Sequence, residues 1–63
     1  MAYRVKEVRE EKRMTQEELA EASGVSRTTI VAIEKGETKN VLASTLLKLA
    51  QAMGVTVSEI FFS

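Results

Sequence analysis

The sequence has 63 residues and a formal net charge of zero, because nine Lys and Arg residues balance nine acidic residues, all of them glutamate. There is no cysteine and no histidine, which excludes a disulfide framework and the usual zinc sites. Without histidine, cysteine or aspartate, no pattern of nucleophile and base is present, so we predict neither an enzyme nor a metal or cofactor. No apolar run predicts a membrane span or a signal peptide, so we expect a cytoplasmic protein.

The length predicts one domain over residues 1–63. The absence of proline and the presence of only three glycines favour an all-helical fold. A chain this short buries only about 60% of the surface that its unfolded form exposes, which favours association of two copies.

The first helix is predicted over about residues 3–12, with Tyr3, Val5, Val8 and the stem of Lys12 on its inner face. Thr15 precedes Glu18 by three residues, a capping-box pattern that predicts the start of a second helix. Glycine readily adopts the left-handed conformation that ends helices, so this helix is expected to stop at residues 23–24.

Ser26 is a good N-cap for a third helix over residues 27–35, which Gly36 ends. Ile30 and Ile33 are predicted to face inward. The outer face of this third helix is predicted to contain or adjoin Arg27, Thr28, Val31 and Ala32.

Ser44 is predicted to cap a fourth helix that ends at Gly54. Its inner face is expected to contain leucines and other apolar residues at helical spacing, namely Leu46, Leu47, Leu49, Ala50 and Met53. The tail that follows is predicted to form one helical turn that Thr56 or Ser58 caps.

Two short helices joined by a glycine-containing turn predict a helix-turn-helix at residues 16–35, whose second helix projects from the domain. The segment 15–30, TQEELAEASGVSRTTI, followed by IEKG at 33–36, resembles the helix-turn-helix of the Cro and phage-repressor (XRE-like) family. The resemblance covers nearly the whole chain. It implies a compact five-helix fold like that of lambda repressor, which binds double-stranded DNA with its second motif helix in the major groove.

The resemblance also implies roles for individual residues. Base reading falls on Arg27, Thr28 and Ala32, where arginine suits a guanine edge and methyl groups suit thymine. Gln16 is expected to bind a phosphate and to brace the start of the third helix. Further residues are expected to position the DNA backbone, namely Thr15, Ser26, Thr29, Lys35, Lys39 and Asn40.

Arg9 and Glu34 are implied to form a buried ion pair that ties the third helix to the scaffold. Phe61 and Phe62 cannot both face inward from one turn, so we predict that they contribute to a homodimer interface. The expected partner is a two-fold symmetric operator, with the protein at the nucleoid and without a small-molecule effector.

Two hypotheses remain open at this point. The first is a dimeric transcriptional regulator, most simply a repressor. The second is a protein-interaction module that keeps the helix-turn-helix shape without binding specific DNA. The net charge of zero keeps the second hypothesis open, because most DNA-binding domains carry a positive excess.

Overall fold

The computed structural model describes residues 2–38 and 40–62, which contain five helices and one pair of very short strands. The predicted all-helical class is confirmed. In chain order the elements are β1 (Ala2–Tyr3), α1 (Val5–Glu11), α2 (Gln16–Ser23), α3 (Arg27–Lys35), α4 (Ala43–Met53), α5 (Val57–Ile60) and β2 (Phe61–Phe62). None of the described helices is long and apolar enough to cross a membrane.

The helix-turn-helix segment has the predicted caps. The Thr15 hydroxyl accepts a hydrogen bond from the Glu18 N–H at 3.0 Å, and the Glu18 carboxylate accepts from the Thr15 N–H at 2.8 Å. The α2 helix ends at Gly24, which has a φ of 77°. At the next helix, Ser26 Oγ accepts from the Thr29 N–H at 3.2 Å. These local signals therefore set both ends of the turn between α2 and α3.

The fourth helix differs from the prediction at its start and on one face. Its N-cap is Leu42, without a side-chain hydrogen bond, so Ser44 is already inside the helix. Leu47 was predicted to face inward, but it is 49% exposed. The buried positions on α4 are Leu46, Leu49, Ala50 and Met53, which follow one helical face, whereas residue 47 lies about 100° away from residue 46.

The two ends of the described chain pair with each other. Tyr3 lies opposite Phe61 in an antiparallel ladder, and their rings are 5.5 Å apart between centroids. The Arg4 N–H donates to the carbonyl of Ile60 at 2.8 Å. Residue 3 was predicted to be helical, but this pairing holds it in a strand, and α1 begins only at Val5. The α5 turn is confirmed, with Thr56 as its cap.

A single hydrophobic cluster joins the five described helices. The α2 helix packs against both α3 and α4, and α1 contacts the same pair. The cluster consists of buried aliphatic side chains and one methionine: Val5, Val8, Leu19, Val25, Ile30, Ile33, Leu46, Leu49, Ala50, Met53 and Ile60. Lys12 is exposed beyond the end of α1 and is not part of it. Burial of Ile30 and Ile33 fixes which face of α3 points away from the core.

The turn after α1 contains an arginine in the left-handed region. Arg13 has a φ of 57°, and its N–H donates to the Glu10 carbonyl at 3.0 Å. This conformation costs a residue with a Cβ roughly 1–2 kcal/mol, whereas glycine adopts it readily. Replacement of Arg13 by glycine would remove this cost, but the greater freedom of glycine in the unfolded chain offsets part of the gain in stability.

We therefore expect Arg13→Gly to raise the free energy of unfolding by about 0.5–1 kcal/mol, because the exposed side chain adds little packing. Urea denaturation measures the change. Arg13→Ala is the matched control, because it removes the same side chain but keeps the Cβ. Equal stability of the two variants would show that the backbone conformation is not the cause.

Candidate nucleic-acid interface

The exposed face of α3 contains the three predicted base readers. Arg27 and Thr28 are exposed at the N-terminal end of the helix, and Ala32 is half-buried about one turn further on. They line a shallow depression together with Val31 and Glu37. The structure therefore brings the predicted readers to one surface, opposite the buried isoleucines of α3.

Arg27 has a partner on the neighbouring helix. Its Nε lies 3.5 Å from Oε1 of Glu17, which lies in the first turn of α2. Both side chains are largely exposed, so the ion pair contributes between about 0 and 1 kcal/mol to stability. It holds the guanidinium through Nε, while the two terminal nitrogens have the spacing that a guanine edge requires.

The first turn of α3 also contains two hydroxyl groups in contact. Ser26 Oγ donates to Thr29 Oγ1 at 2.8 Å while it accepts from the Thr29 N–H. Both residues are exposed. The Thr29 hydroxyl keeps its own proton for another acceptor, which is the property needed for a contact with a phosphate oxygen.

Arg9 and Glu34 form the buried ion pair that joins α1 to α3. Arg9 Nε donates to Glu34 Oε2 at 2.8 Å and Nη2 donates to Oε1 at 3.2 Å, while Nη1 donates to the Met14 carbonyl at 2.8 Å. The side chains are only 10% and 4% exposed. The hydrogen bonds that Arg9 donates to Glu34 raise the pKa of Arg9 above its ordinary value, against the opposing effect of burial.

Gln16 joins this network, at a different place from the one predicted. Its Nε2 donates to Glu34 Oε1 at 3.0 Å, so it contacts the C-terminal half of α3 and does not brace the start of that helix. The amide nitrogen has two protons, and the second remains available for a phosphate. Gln16 is half-buried, next to the exposed N-cap Thr15.

Gln16 lines a cleft of about 440 Å³ between α1, the start of α2 and the end of α3. Two lysines are at this cleft: Lys35, which was predicted as a backbone contact, and Lys6, which was not. Lys6 was missed because it is an ordinary exposed position of the first helix until the fold brings that helix beside α3. The cleft thus combines an amide donor with two cations.

The remaining predicted contacts lie elsewhere. Asn40 is exposed and lines a separate, mainly apolar groove beside α4, so it does not reach the cleft. Lys39 lies outside the described residues. No cluster of acidic side chains that could hold a metal ion occurs in the part of the chain that is described.

The family model described as helix-turn-helix matches residues 5–60, which include α1 to α5. The chain belongs to the helix-turn-helix family. The Cro and repressor-type resemblance that the motif residues predicted is thereby confirmed.

Related proteins agree with this assignment. The helix-turn-helix chain is 43% identical over 61 residues to an HTH-type transcriptional regulator of Archaeoglobus fulgidus, covering 97% of this chain and 84% of that one. It is 40% identical over 60 residues to control protein C.SmaI of Serratia marcescens, with 95% and 70% covered. The crystal structure of the restriction-modification controller protein C.AhdI from Aeromonas hydrophila superposes with a TM-score of 0.85 at 38% identity, covering 92% of this chain and 86% of that one.

These comparisons place the helix-turn-helix protein among DNA-binding transcriptional regulators and not among enzymes. They do not assign roles to individual side chains.

Burial of the ion pair between Arg9 and Glu34 predicts a large effect of its loss on stability. Glu34→Gln should lower the free energy of unfolding by about 3–5 kcal/mol, because it leaves the Arg9 guanidinium buried without a counter-charge. Chemical denaturation followed by circular dichroism measures this loss. The control is Glu7→Gln, which breaks the exposed 3.3 Å pair with Arg4 and should cost less than about 1 kcal/mol. Similar small losses in both variants would mean that the Arg9 and Glu34 pair contributes no more than a surface contact.

Proposed function

We propose that this protein is a dimeric, sequence-specific regulator that inserts α3 into the major groove of a two-fold symmetric DNA operator and most simply represses transcription there. In this proposal residues 1–63 act as one DNA-binding domain at the nucleoid, in the cytoplasm. The observation that carries it is the exposed N-terminal half of α3, with Arg27 and Thr28 free of the core while Ile30 and Ile33 anchor the helix.

The dimensions of α3 suit this role. An α-helix with its side chains is about 10–12 Å across, and the major groove of B-DNA is about 12 Å wide. A close fit requires small residues on the inserted face, which Thr28 and Ala32 provide. Arg27 then pairs with the O6 and N7 acceptors of guanine, and the methyl groups of Thr28 and Ala32 contact thymine.

Backbone contacts would come from the two sides of this helix. On one side the cleft offers Lys6, Lys35 and the second amide proton of Gln16 to a phosphate. At the N-terminal end, the hydroxyl of Thr29 serves the same purpose. Because the net charge is zero, the general electrostatic attraction to DNA is weak. These placed donors therefore supply most of the affinity for the DNA backbone.

The salt dependence of binding to a duplex selected from a random pool tests the proposal. Each phosphate contact should contribute about 0.9 to the fall of log affinity with log salt. Lys35→Ala should reduce this slope by about 0.9 and weaken all sequences alike, whereas Arg27→Ala should relax the preference at one operator position. Fluorescence anisotropy with selected and scrambled duplexes measures both effects.

The second candidate function is a protein-interaction module with the same fold, and the balanced charge is the observation that favours it. It predicts no binding of duplex DNA at low salt, or binding that does not change with salt. Either result would exclude the regulator. Among regulators, similarity to the restriction-modification controller protein C.AhdI supports control of restriction-modification genes as one proposed role.

Dimerisation is proposed through the apolar surface around α4 and α5. A groove of about 530 Å³ is lined there by Val41, Leu46, Leu47, Val57 and Phe61 among others. Leu42 and Leu47 are 72% and 49% exposed. Phe61 was predicted as a contact residue, and it forms a half-buried wall of this groove, where it packs on Tyr3. The side chain of Phe62 lies outside the described residues.

A second copy of the chain is the proposed occupant, because a two-fold operator requires two α3 helices held at a set spacing of about 34–36 Å. Exposed leucines beside an apolar groove also suit a homodimer interface, which is richer in apolar surface than the rest of a protein.

Leu47→Glu should shift the protein from dimer to monomer, because it places a charge in the buried interface. Sedimentation velocity over a range of concentrations measures the state. Leu47→Met keeps an apolar side chain at the same position and should leave the dimer intact. A wild-type protein that remains monomeric at high concentration, or a Leu47→Glu variant that still dimerises, would contradict this interface.

A further inference from the structure

We propose that Glu37 is a specificity residue of the DNA-reading surface, whose carboxylate accepts a hydrogen bond from the exocyclic amino group of cytosine or adenine in the major groove. This inference rests on the proposed function, because it requires α3 to enter that groove. Glu37 was not among the residues predicted from the sequence to read bases.

The end of α3 places Glu37 back against the reading face. Gly36 has a φ of 75°, and the Glu37 N–H donates to the Ala32 carbonyl at 3.0 Å. This hydrogen bond folds the chain back over the last turn of the helix. The exposed Glu37 then borders the same depression as Arg27 and Thr28, and it is absent from the lining of the cleft that contains Lys35.

The depression therefore has a chemical polarity. Arg27 is a cation at one part of its lining and Glu37 is an anion at another, and small or methyl-bearing side chains of Thr28, Val31 and Ala32 complete it. These groups match three distinct features of the major groove: the acceptors of guanine, the methyl group of thymine, and the amino group of cytosine or adenine. We infer an operator half-site that presents all three.

The charge of Glu37 also disfavours binding to DNA duplexes of other sequences. Within residues 2–38 and 40–62 no ion pair joins Glu37 to another side chain, whereas the nearby Arg27 is paired with Glu17. A carboxylate at a surface that approaches phosphates is repelled by every duplex. Only a duplex with an amino group at the matching position compensates the repulsion, so Glu37 separates the operator from random DNA.

The experiment compares the wild type with Glu37→Gln. Selection from a random pool of duplexes identifies the preferred site of each protein. Dissociation constants of both proteins are then measured, at one salt concentration, for the duplex that the wild type selects and for a scrambled duplex. For Glu37→Gln we expect the affinity ratio of selected to scrambled duplex to fall about tenfold, chiefly through tighter binding of the scrambled duplex. The base preferred at one position should also change, because the amide of glutamine presents a donor beside its acceptor, whereas the carboxylate presents acceptors only.

Glu21→Gln is the matched control, because it removes the same charge from an exposed position on α2 that borders a different depression, with Glu18 and Ala22. It should leave the affinity ratio within about twofold of the wild type, since it changes only the net charge. Unchanged melting temperatures of both variants confirm that the fold is retained, as expected for exposed side chains.

Two results overturn the inference alone: a wild type that discriminates between duplexes while Glu37→Gln discriminates equally well, or a Glu21→Gln control that loses as much as Glu37→Gln. A wild type that binds all duplexes alike, or none, overturns the proposed function itself and this inference with it. The two failures are therefore distinguishable from the wild-type data.

Discussion

The buried ion pair between Arg9 and Glu34 is the contact on which the arrangement of the proposed DNA-reading face of α3 depends. Through it, α1 is joined to the turn at Met14 and to the C-terminal half of α3, and Gln16 adds the start of α2 to the same carboxylate. The segment from α1 to the start of α2 is thus joined, through Arg9 and Gln16, to a carboxylate on α3 that is distant in the sequence. Ile30 and Ile33 attach α3 to the core, and Glu34 fixes its rotation and tilt relative to the rest of the domain.

An ion pair is a costly way to hold a helix in so small a protein. Desolvation of two charges offsets most of their attraction, and an apolar pair of similar volume often gives equal or greater stability. What the pair adds is direction, because a guanidinium and a carboxylate contact each other in a fixed geometry with two parallel hydrogen bonds. We infer that the pair serves mainly to orient α3, so that Arg27 and Thr28 project at a set position from the domain.

Local signals were sufficient to predict α2 and α3, since Thr15, Ser26 and the glycines after each helix act within a few residues. Long-range contacts were not predictable in this way. The pairing of Tyr3 with Phe61 involves two residues on each side and leaves no alternating pattern. The exposure of Leu47 depends on which face of α4 meets α2, and the contact between Gln16 and Glu34 depends on the crossing of two helices. Lys6 and Glu37 join their surfaces only once the chain is folded.

A net charge of zero means that the protein cannot rely on general attraction to DNA. In the proposed function, selectivity therefore comes from the placed donors, the carboxylate near α3 and the pairing of two copies. The proposed function requires that α3 meets DNA with its N-terminal half. Chemical-shift changes in a ¹⁵N-labelled sample titrated with a selected duplex test it most directly. If α3 enters the major groove, the largest changes should occur at residues 15–16, 26–32 and 35–37, with small changes in α4 and α5. Changes confined to α4 and α5, or none at all, would contradict it.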